Sequence, residues 1–300
     1  MAPSPPRFVL RAPDHLGDGV MALPAIEALA AVAPVEVYAP RWAGELYAGF
    51  PVRPVDAVPT GGTGVLLKPS FGAAWRWRHL PERVGLATDH RGWLLTQAVP
   101  VRPPGHPGEG AEHRRDGYTR VVQILGARVT GPPRFRARGR APEGLPPHHV
   151  GLNPWSPSLT VRWPGYPALA AELGRLGHPV VWYAGPGEGD AVGALAGPGA
   201  TVVAGLSLPD FAAALDRCGV FVSNDSGAAH FAAACGAQVV MVHGSTAPAR
   251  TGVGHPVEGP PLWCRPCYRK WCYNGLKCLQ TVDPSTVRGV VERVIAGGAR

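Results

Sequence analysis

GVFVSNDSGAAHFAAACGAQVVMVHG, residues 219–244, decides the fold: a strand, a helix of small residues and a second strand follow one another without interruption. Residues 219–223 form a short apolar run, and Asp225 and Ser226 behind it are residue types that cap helix N-termini. Residues 228–234 carry so little bulk that the predicted helix can lie close against a sheet. Residues 238–242 return as a buried parallel strand and exit into His243, Gly244, Ser245 and Thr246. In open α/β sheets ligands bind beyond the carboxyl ends of the strands. Exposed amides at a helix N-terminus there attract anions by about 0.3 to 1 kcal/mol at the surface and about 2 when partly buried. The expected ligand is phosphorylated and sits over the amides of Ser226, Gly227 and Ala228. His230, one turn into the helix, reads either as a pocket residue or as a packed core histidine.

The same plan runs outward in both directions. Upstream, strands are predicted over 150–153, 180–184 and 201–203, with helices over 167–176, after Gly187 and over 208–217. Downstream, Asp283 and Pro284 cap and open a closing helix over 284–296. At the N-terminus, a strand over 8–11 runs through Pro13-Asp14-His15-Leu16-Gly17-Asp18-Gly19 into a helix over 20–32. Strands over 35–38, 52–55 and 65–67, a helix over 42–49 and another over 114–125 continue that half. Residues 99–110 read as loop, and 131–147, dense in Pro, Gly and Arg, as the linker. The predicted architecture is α/β: two facing Rossmann-like domains, 1–147 and 148–300, with a cleft between them.

Three hundred residues suit two domains of roughly 130 to 150 residues each. No apolar run approaches the roughly 20 residues that span a bilayer, and residues 1–6 lack the charged start and apolar core of a secretion signal, so a cytoplasmic protein is expected. The formal net charge is +8, almost wholly from arginine, since Lys68, Lys270 and Lys277 are the only lysines. That balance favours anionic partners, and no nucleic-acid motif accompanies it, so nucleic acid is not expected among them. The string Gly185-Pro186-Gly187-Glu188-Gly189 lacks the glycine spacing of a dinucleotide fingerprint, which disfavours a nicotinamide enzyme.

Four segments, taken together, resemble one family: Arg11 to Asp18 with Leu23-Pro24-Ala25-Ile26; Leu152-Asn153-Pro154 with Arg162-Trp163-Pro164; Asn224 to His230; and a cysteine patch. In this order they resemble the ADP-heptose:lipopolysaccharide heptosyltransferases, glycosyltransferase family 9. The resemblance implies a GT-B fold with an N-terminal acceptor domain, a C-terminal nucleotide-sugar domain and inverting, metal-independent sugar transfer, with no cofactor required. It implies heptose on an ADP carrier as donor and a cell-envelope glycan or anionic glycolipid, such as lipopolysaccharide core, as acceptor, with peripheral contact at the inner membrane. Independently, the chain contains no Asp-x-Asp, the usual metal-diphosphate grip of other glycosyltransferases.

Inverting transfer needs a base for the acceptor hydroxyl and groups that stabilise the departing diphosphate. By resemblance Asp18 matches the catalytic aspartate, placed where Gly17 and Gly19 allow close approach of a sugar; Asp14 competes for the role, and a helix cap is the plainer reading of Asp18. Asp225 is expected to accept hydrogen bonds from donor-sugar hydroxyls. Glu188 resembles the acidic residue that holds ribose, against a plainer helix-capping role. Arg162 is the cation expected at the diphosphate; the family's preceding lysine is replaced here by Val161, which leaves a catalytically impaired sugar-nucleotide binder as the alternative. Cys264, Cys267, Cys272 and Cys278 form a C-x2-C-x4-C-x5-C cluster that suggests a structural zinc or iron site, with reduced thiols or disulfides as the alternative. Arg76, Arg78 and Arg114 are candidate grips for acidic groups of the acceptor, or solvated surface arginines.

Overall fold

A computed structural model describes residues 7–101 and 112–298; most of the expected loop over 99–110 lies outside the described residues. The chain divides into two compact units, Met1–Arg134 and Phe135–Arg300. The first holds strands β1 (Phe8–Arg11), β2 (Val35–Ala39), β3 (Val52–Pro54), β4 (Thr63–Leu66), β5 (Arg83–Leu86) and β6 (Gln97–Val99), with helices α1 (Leu16–Ala30), α2 (Phe71–Arg76) and α3 (Arg114–Gln123). The second holds β7 (His149–Asn153), β8 (Val180–Ala184), β9 (Thr201–Ala204), β10 (Cys218–Asn224), β11 (Val239–His243) and β12 (His255–Glu258). Its helices are α4 (Tyr166–Arg175), α5 (Gly189–Ala196), α6 (Leu208–Leu215), α7 (Gly227–Ala234), α8 (Pro248–Thr251), α9 (Lys277–Gln280) and α10 (Pro284–Gly298).

Both sheets are parallel and share one strand order, β3-β2-β1-β4-β5-β6 and β12-β11-β10-β7-β8-β9. This is the doubly wound order of dinucleotide-type folds, and it reverses between β1 and β4 and between β7 and β10. A crevice for ligands opens at the carboxyl ends of those pairs, so the topology nominates the exits of β1, β4, β7 and β10.

The centres of the two strands in the quoted stretch are apolar because both sheet faces are covered: Val220, Phe221, Val222, Val240, Met241 and Val242 are all 0% exposed. The small residues of α7 let Phe231 reach inward, where it stacks on Phe211 at 5.5 Å and meets Phe135 at 4.8 Å. Burying such a ring contributes about 1.5 to 3 kcal/mol. The Phe135 amide also donates to the Ala234 carbonyl at 2.9 Å, and Arg138 pairs with Asp216 at 2.7 Å. These contacts draw the Pro- and Arg-rich segment from residue 135 onward onto the second unit. In that unit α10 is capped by Asp283, whose carboxylate accepts from the Ser285 amide at 2.8 Å.

The first unit departs from the sequence expectation in three places. Helix α1 begins at Leu16 instead of Val20, because His15 takes the extended N-cap conformation and its carbonyl already accepts from the Gly19 amide at 2.8 Å. Asp18 therefore lies in the first turn of a helix and does not cap it. The helix expected over 42–49 is only a 3-10 turn at Arg41–Gly44. Strands β5 and β6 and helix α2 are too short for periodicity to mark them.

Candidate functional site

At the β10 exit, Asn224 is buried and spends its side chain on structure. Its Oδ1 accepts from the Trp163 amide at 3.0 Å and from the Tyr166 hydroxyl at 3.2 Å, and its Nδ2 donates to the Pro154 carbonyl at 2.8 Å. The loop carrying Arg162 is thereby tied to β10 across the crevice between β7 and β10. Trp163 is held further by its indole N–H, which donates to Val282 at 3.0 Å, and its ring lies against Gly165, where a Cβ would come within 2.2 Å of it. Only glycine fits there. Asn153, at the end of β7, accepts from Ser223 at 3.2 Å and donates to Tyr183 at 3.0 Å.

Asp225 follows at once, with its side chain 7% exposed. Its Oδ2 accepts from the Thr251 hydroxyl at 2.6 Å, and His230 Nε2 and His243 Nδ1 lie 3.7 and 3.8 Å from its oxygens. Burial acts to raise the Asp225 pKa, but the His230 ring, the charge of protonated His243 and the hydroxyls of Thr246 and Thr251 outweigh it and hold it at about 2. Burial dominates at His243, which the nearby Asp225 only partly supports, and it is pushed down to about 4. At neutral pH the centre is thus a carboxylate anion beside a neutral imidazole. His230 Nδ1 and His243 Nε2 are buried without a hydrogen-bond partner. Ser226 is the N-cap of α7, its hydroxyl 3.0 Å from that of Ser223, and the Gly227 and Ala228 amides open the helix behind it.

His243 carries a pH prediction. An unfolded histidine titrates near 6.5, so between pH 6.5 and about 4 the unfolded chain binds a proton that the folded chain refuses. Stability from this group is complete above 6.5 and falls as pH drops through that window, by roughly 3 kcal/mol in all. Urea unfolding at stepped pH should show this loss in the wild type and a flatter profile in His243→Gln; identical profiles would remove His243 as the source.

The other expected residues of this unit are placed as follows. The Arg162 guanidinium lies 3.5 Å over the Trp155 ring and donates to the Ser156 carbonyl, and Val161 is buried. Glu188 is the N-cap residue of α5, and its carboxylate accepts from the Gly185 amide at 2.8 Å, within its own loop. The cysteine-rich segment straps onto the same end of the sheet: the Cys267 and Tyr268 amides both donate to the Ser245 carbonyl at 3.0 Å, and the Thr160 hydroxyl donates to the Arg269 carbonyl at 2.8 Å. All six cysteines are free thiols. Cys272 Sγ accepts from the Asn274 and Leu276 amides, both at 3.3 Å, Cys264 Sγ accepts from Asn274 Nδ2 at 3.6 Å, and Cys278 is buried. Among the described residues no three His, Cys, Asp or Glu side chains converge to hold a metal ion. Cys264, Cys267, Cys272 and Cys278, the cluster whose spacing suggests zinc or iron, thus form no ready ligand set, although the first three lie near enough to Cys278 to act on its thiol, which burial first of all pushes up.

In the first unit, Asp18 is 14% exposed at the side chain and bound by Arg114, whose Nη1 bridges both carboxylate oxygens at 2.7 and 2.9 Å. Tyr47 and Tyr118 are buried nearby; burial first, and then the Asp18 charge, push both phenols well up, so they stay protonated. Gly19 serves this packing, since a Cβ on it would stand 2.9 Å from the Tyr47 hydroxyl. Asp14, the rival base, is tied down by Arg11 at 2.6 Å and Lys68 at 2.7 Å. Burial acts to raise its pKa, and those two cations outweigh it and lower it. Asp18 meets one cation where Asp14 meets two. Arg114 is therefore the arginine that reaches the Asp18 site. Arg76 and Arg78 are exposed, donating to the Val55 carbonyl at 3.4 Å and the Trp75 carbonyl at 2.9 Å.

Sequence reading did not single out Tyr47, Tyr118, Thr251 or the role of His243. Nothing local marks them, because each acquires its neighbour from a distant element.

The sequence profile of glycosyltransferase family 9 (heptosyltransferase) matches residues 132–275. Among solved structures, E. coli ADP-heptose lps heptosyltransferase II aligns over 98% of this chain and 100% of its own, at 18% identity and a TM-score of 0.72. A family 9 glycosyl transferase from Veillonella parvula aligns over 99% of both chains, at 18% identity and a TM-score of 0.74. E. coli heptosyltransferase WaaC with ADP aligns over 96% of this chain and 99% of its own, at 14% identity and a TM-score of 0.67. No curated protein sequence matches the chain. The fold is that of these GT-B enzymes, and the stretch 132–275, which contains the whole Asp225 centre, is similar to glycosyltransferase family 9 (heptosyltransferase).

Proposed function

We propose that this chain transfers a sugar, with inversion, from a nucleotide diphosphate donor to a cell-envelope glycan, with heptose on ADP as the donor and lipopolysaccharide core as the acceptor class. The observation that carries the reading is the Asp225 centre at the β7/β10 crevice, inside the segment that matches the family. There the amides of Ser226, Gly227 and Ala228 suit a diphosphate, and His230 beside Asp225 keeps a buried, unpartnered Nδ1 for the donor. Asp225 acts mainly by orienting its neighbours, since its exposure leaves little room for sugar hydroxyls. Arg162, preorganised by Trp155, supplies the cation for charge developing on the leaving diphosphate, and Glu188 the ribose contact.

The second unit is the donor unit in this reading and the first the acceptor unit. Asp18 takes the proton from the acceptor hydroxyl through a lone pair that Arg114 does not use, since each carboxylate oxygen has two. Arg114 orients it. No metal is assigned to the step, because the chain has no Asp-x-Asp and the diphosphate contacts come from backbone amides and Arg162. The place of action is the cytoplasmic side of the membrane that carries the acceptor; no helix among the described residues is long and apolar enough to cross it.

Calorimetry with ADP, UDP, GDP and NAD, followed by mass spectrometry of extracted envelope glycolipid incubated with the bound nucleotide's sugar conjugates, tests the reading. ADP binding and a mass gain of one heptose are expected. Binding without any sugar transfer would leave a nucleotide-sugar binder, and preference for NAD would end the proposal.

A further inference from the structure

Helix α2 presents large aromatic rings on its outer face. Its inner side is buried through Ala74 and, just beyond its end, Trp77, which stands edge-on to Tyr38 with centroids 5.1 Å apart. Its outer side carries Phe71 and Trp75, one turn apart and 37% and 46% exposed. Trp93, on the 3-10 turn Gly92–Leu94 that follows β5, is 69% exposed and completes the group. The ring centroids are 6.2 Å apart for Phe71 and Trp75, 6.1 Å for Phe71 and Trp93, and 6.5 Å for Trp75 and Trp93. Large rings in mutual contact and open to water mark an interaction surface. The cations beside them are arginines: the Arg78 guanidinium lies 4.2 Å over the Trp75 ring, and Arg76 is exposed on the same helix. The acidic neighbour, Asp89, is engaged by the Phe71 amide at 2.7 Å. The patch stands beyond the exits of β4 and β5, the same end of the sheet as the first turn of α1 with Asp18.

We propose that Phe71, Trp75 and Trp93, with Arg76 and Arg78, dock the first unit on an anionic lipid bilayer. The rings enter the boundary between headgroups and acyl chains, where amphipathic tryptophan is most at home, and the guanidinium groups pair with lipid phosphates. The ring geometry favours a bilayer over a saccharide. A sugar stacks on a flat face, whereas Trp93 is tilted 54° to Phe71 and 67° to Trp75, so the three rings present no common plane. A fluid interface accepts rings at any tilt. The net charge of +8 suits an anionic surface. The inference rests on the membrane-side placement in the transfer reading and deepens it by naming the surface, and vesicle binding is read without any sugar transfer.

Sedimentation of the full chain with vesicles tests it, using phosphatidylcholine alone and phosphatidylcholine with a quarter phosphatidylglycerol. Wild type is expected to pellet with the anionic vesicles and far less with the neutral ones. Trp93→Ser should lower the partition coefficient about tenfold, and the triple variant Phe71→Ser/Trp75→Ser/Trp93→Ser about a hundredfold, for rings that each lose a partly buried environment. Arg78→Glu should abolish the preference for anionic lipid. Circular dichroism checks that each variant is folded, and Trp93→Ser, in an exposed turn, keeps the test decisive if the triple variant is not. Wild type that ignores anionic vesicles, or a folded Trp93→Ser variant that partitions like wild type, would overturn the proposal. So would release of wild type from vesicles by lipid-free core oligosaccharide, which would make the rings a sugar platform.

Discussion

Asp18→Asn is expected to lower the rate of sugar transfer by about 10² to 10⁴ while leaving nucleotide binding by the second unit unchanged. The substitution keeps the shape of the side chain and one acceptor oxygen toward Arg114, but an amide cannot take the proton of an acceptor hydroxyl. Stability should change little, because the Arg114 side chain is 38% exposed and its lost partner is replaced by water. Initial rates and nucleotide affinity measured on the same preparation separate the two possible failures. A variant that turns over at close to the wild-type rate would remove Asp18 from the chemistry and return Asp14 to consideration, despite the two cations that hold it. Arg114→Ala should slow transfer less, since it loosens the base without removing it.

Arg91→Met is expected to destabilise the first unit by about 3 to 5 kcal/mol. Arg91 is 0% exposed, and its guanidinium donates to four carbonyls: Leu86 at 2.9 Å, Leu66 at 3.1 Å, Lys68 at 2.5 Å and Ser70 at 3.4 Å. Burial lowers its pKa to about 10, still far above neutral, so the group remains a cation. Methionine keeps the apolar stem but removes the charged donor from all four, each such bond being worth about 1.5 to 3 kcal/mol, although the Leu86, Lys68 and Ser70 carbonyls keep backbone donors from Thr88, Ser70 and Ala74. The clamp joins the ends of β4 and β5 and fixes the backbone of Lys68, whose ammonium group holds Asp14. Chemical denaturation followed by near-ultraviolet signals from Trp77 and its neighbours should show the loss. A shift below about 1 kcal/mol would mean that water reaches the clamp and satisfies the carbonyls.

Residues that work together through short stretches of chain were legible. The 219–244 segment revealed its strand, helix and strand because apolar runs and capping residues act over a few positions, and the β8 strand was read with its observed ends. The position of α1 was misjudged by a single local choice: Gly17 and Gly19 read as loop, yet the His15 carbonyl accepts from the Gly19 amide and draws both into the helix. The segment after Phe135 reads as linker by composition and joins the second unit through contacts with distant elements, Phe135 on Phe231 and Arg138 on Asp216.

By itself the sequence determined two Rossmann-like α/β halves and the family resemblance, because hydrophobic period, turn chemistry and motif order are properties of neighbouring residues. The tertiary structure alone decided that Asp18 is held by an arginine 96 positions away, that Asp225 lies between His230 and His243, that Arg91 is a buried clamp, and that three aromatic rings share one open surface. Those pairings follow from which strand exits the parallel sheets bring to one end. Chain separation has no bearing on that adjacency, and so no local signal could encode it.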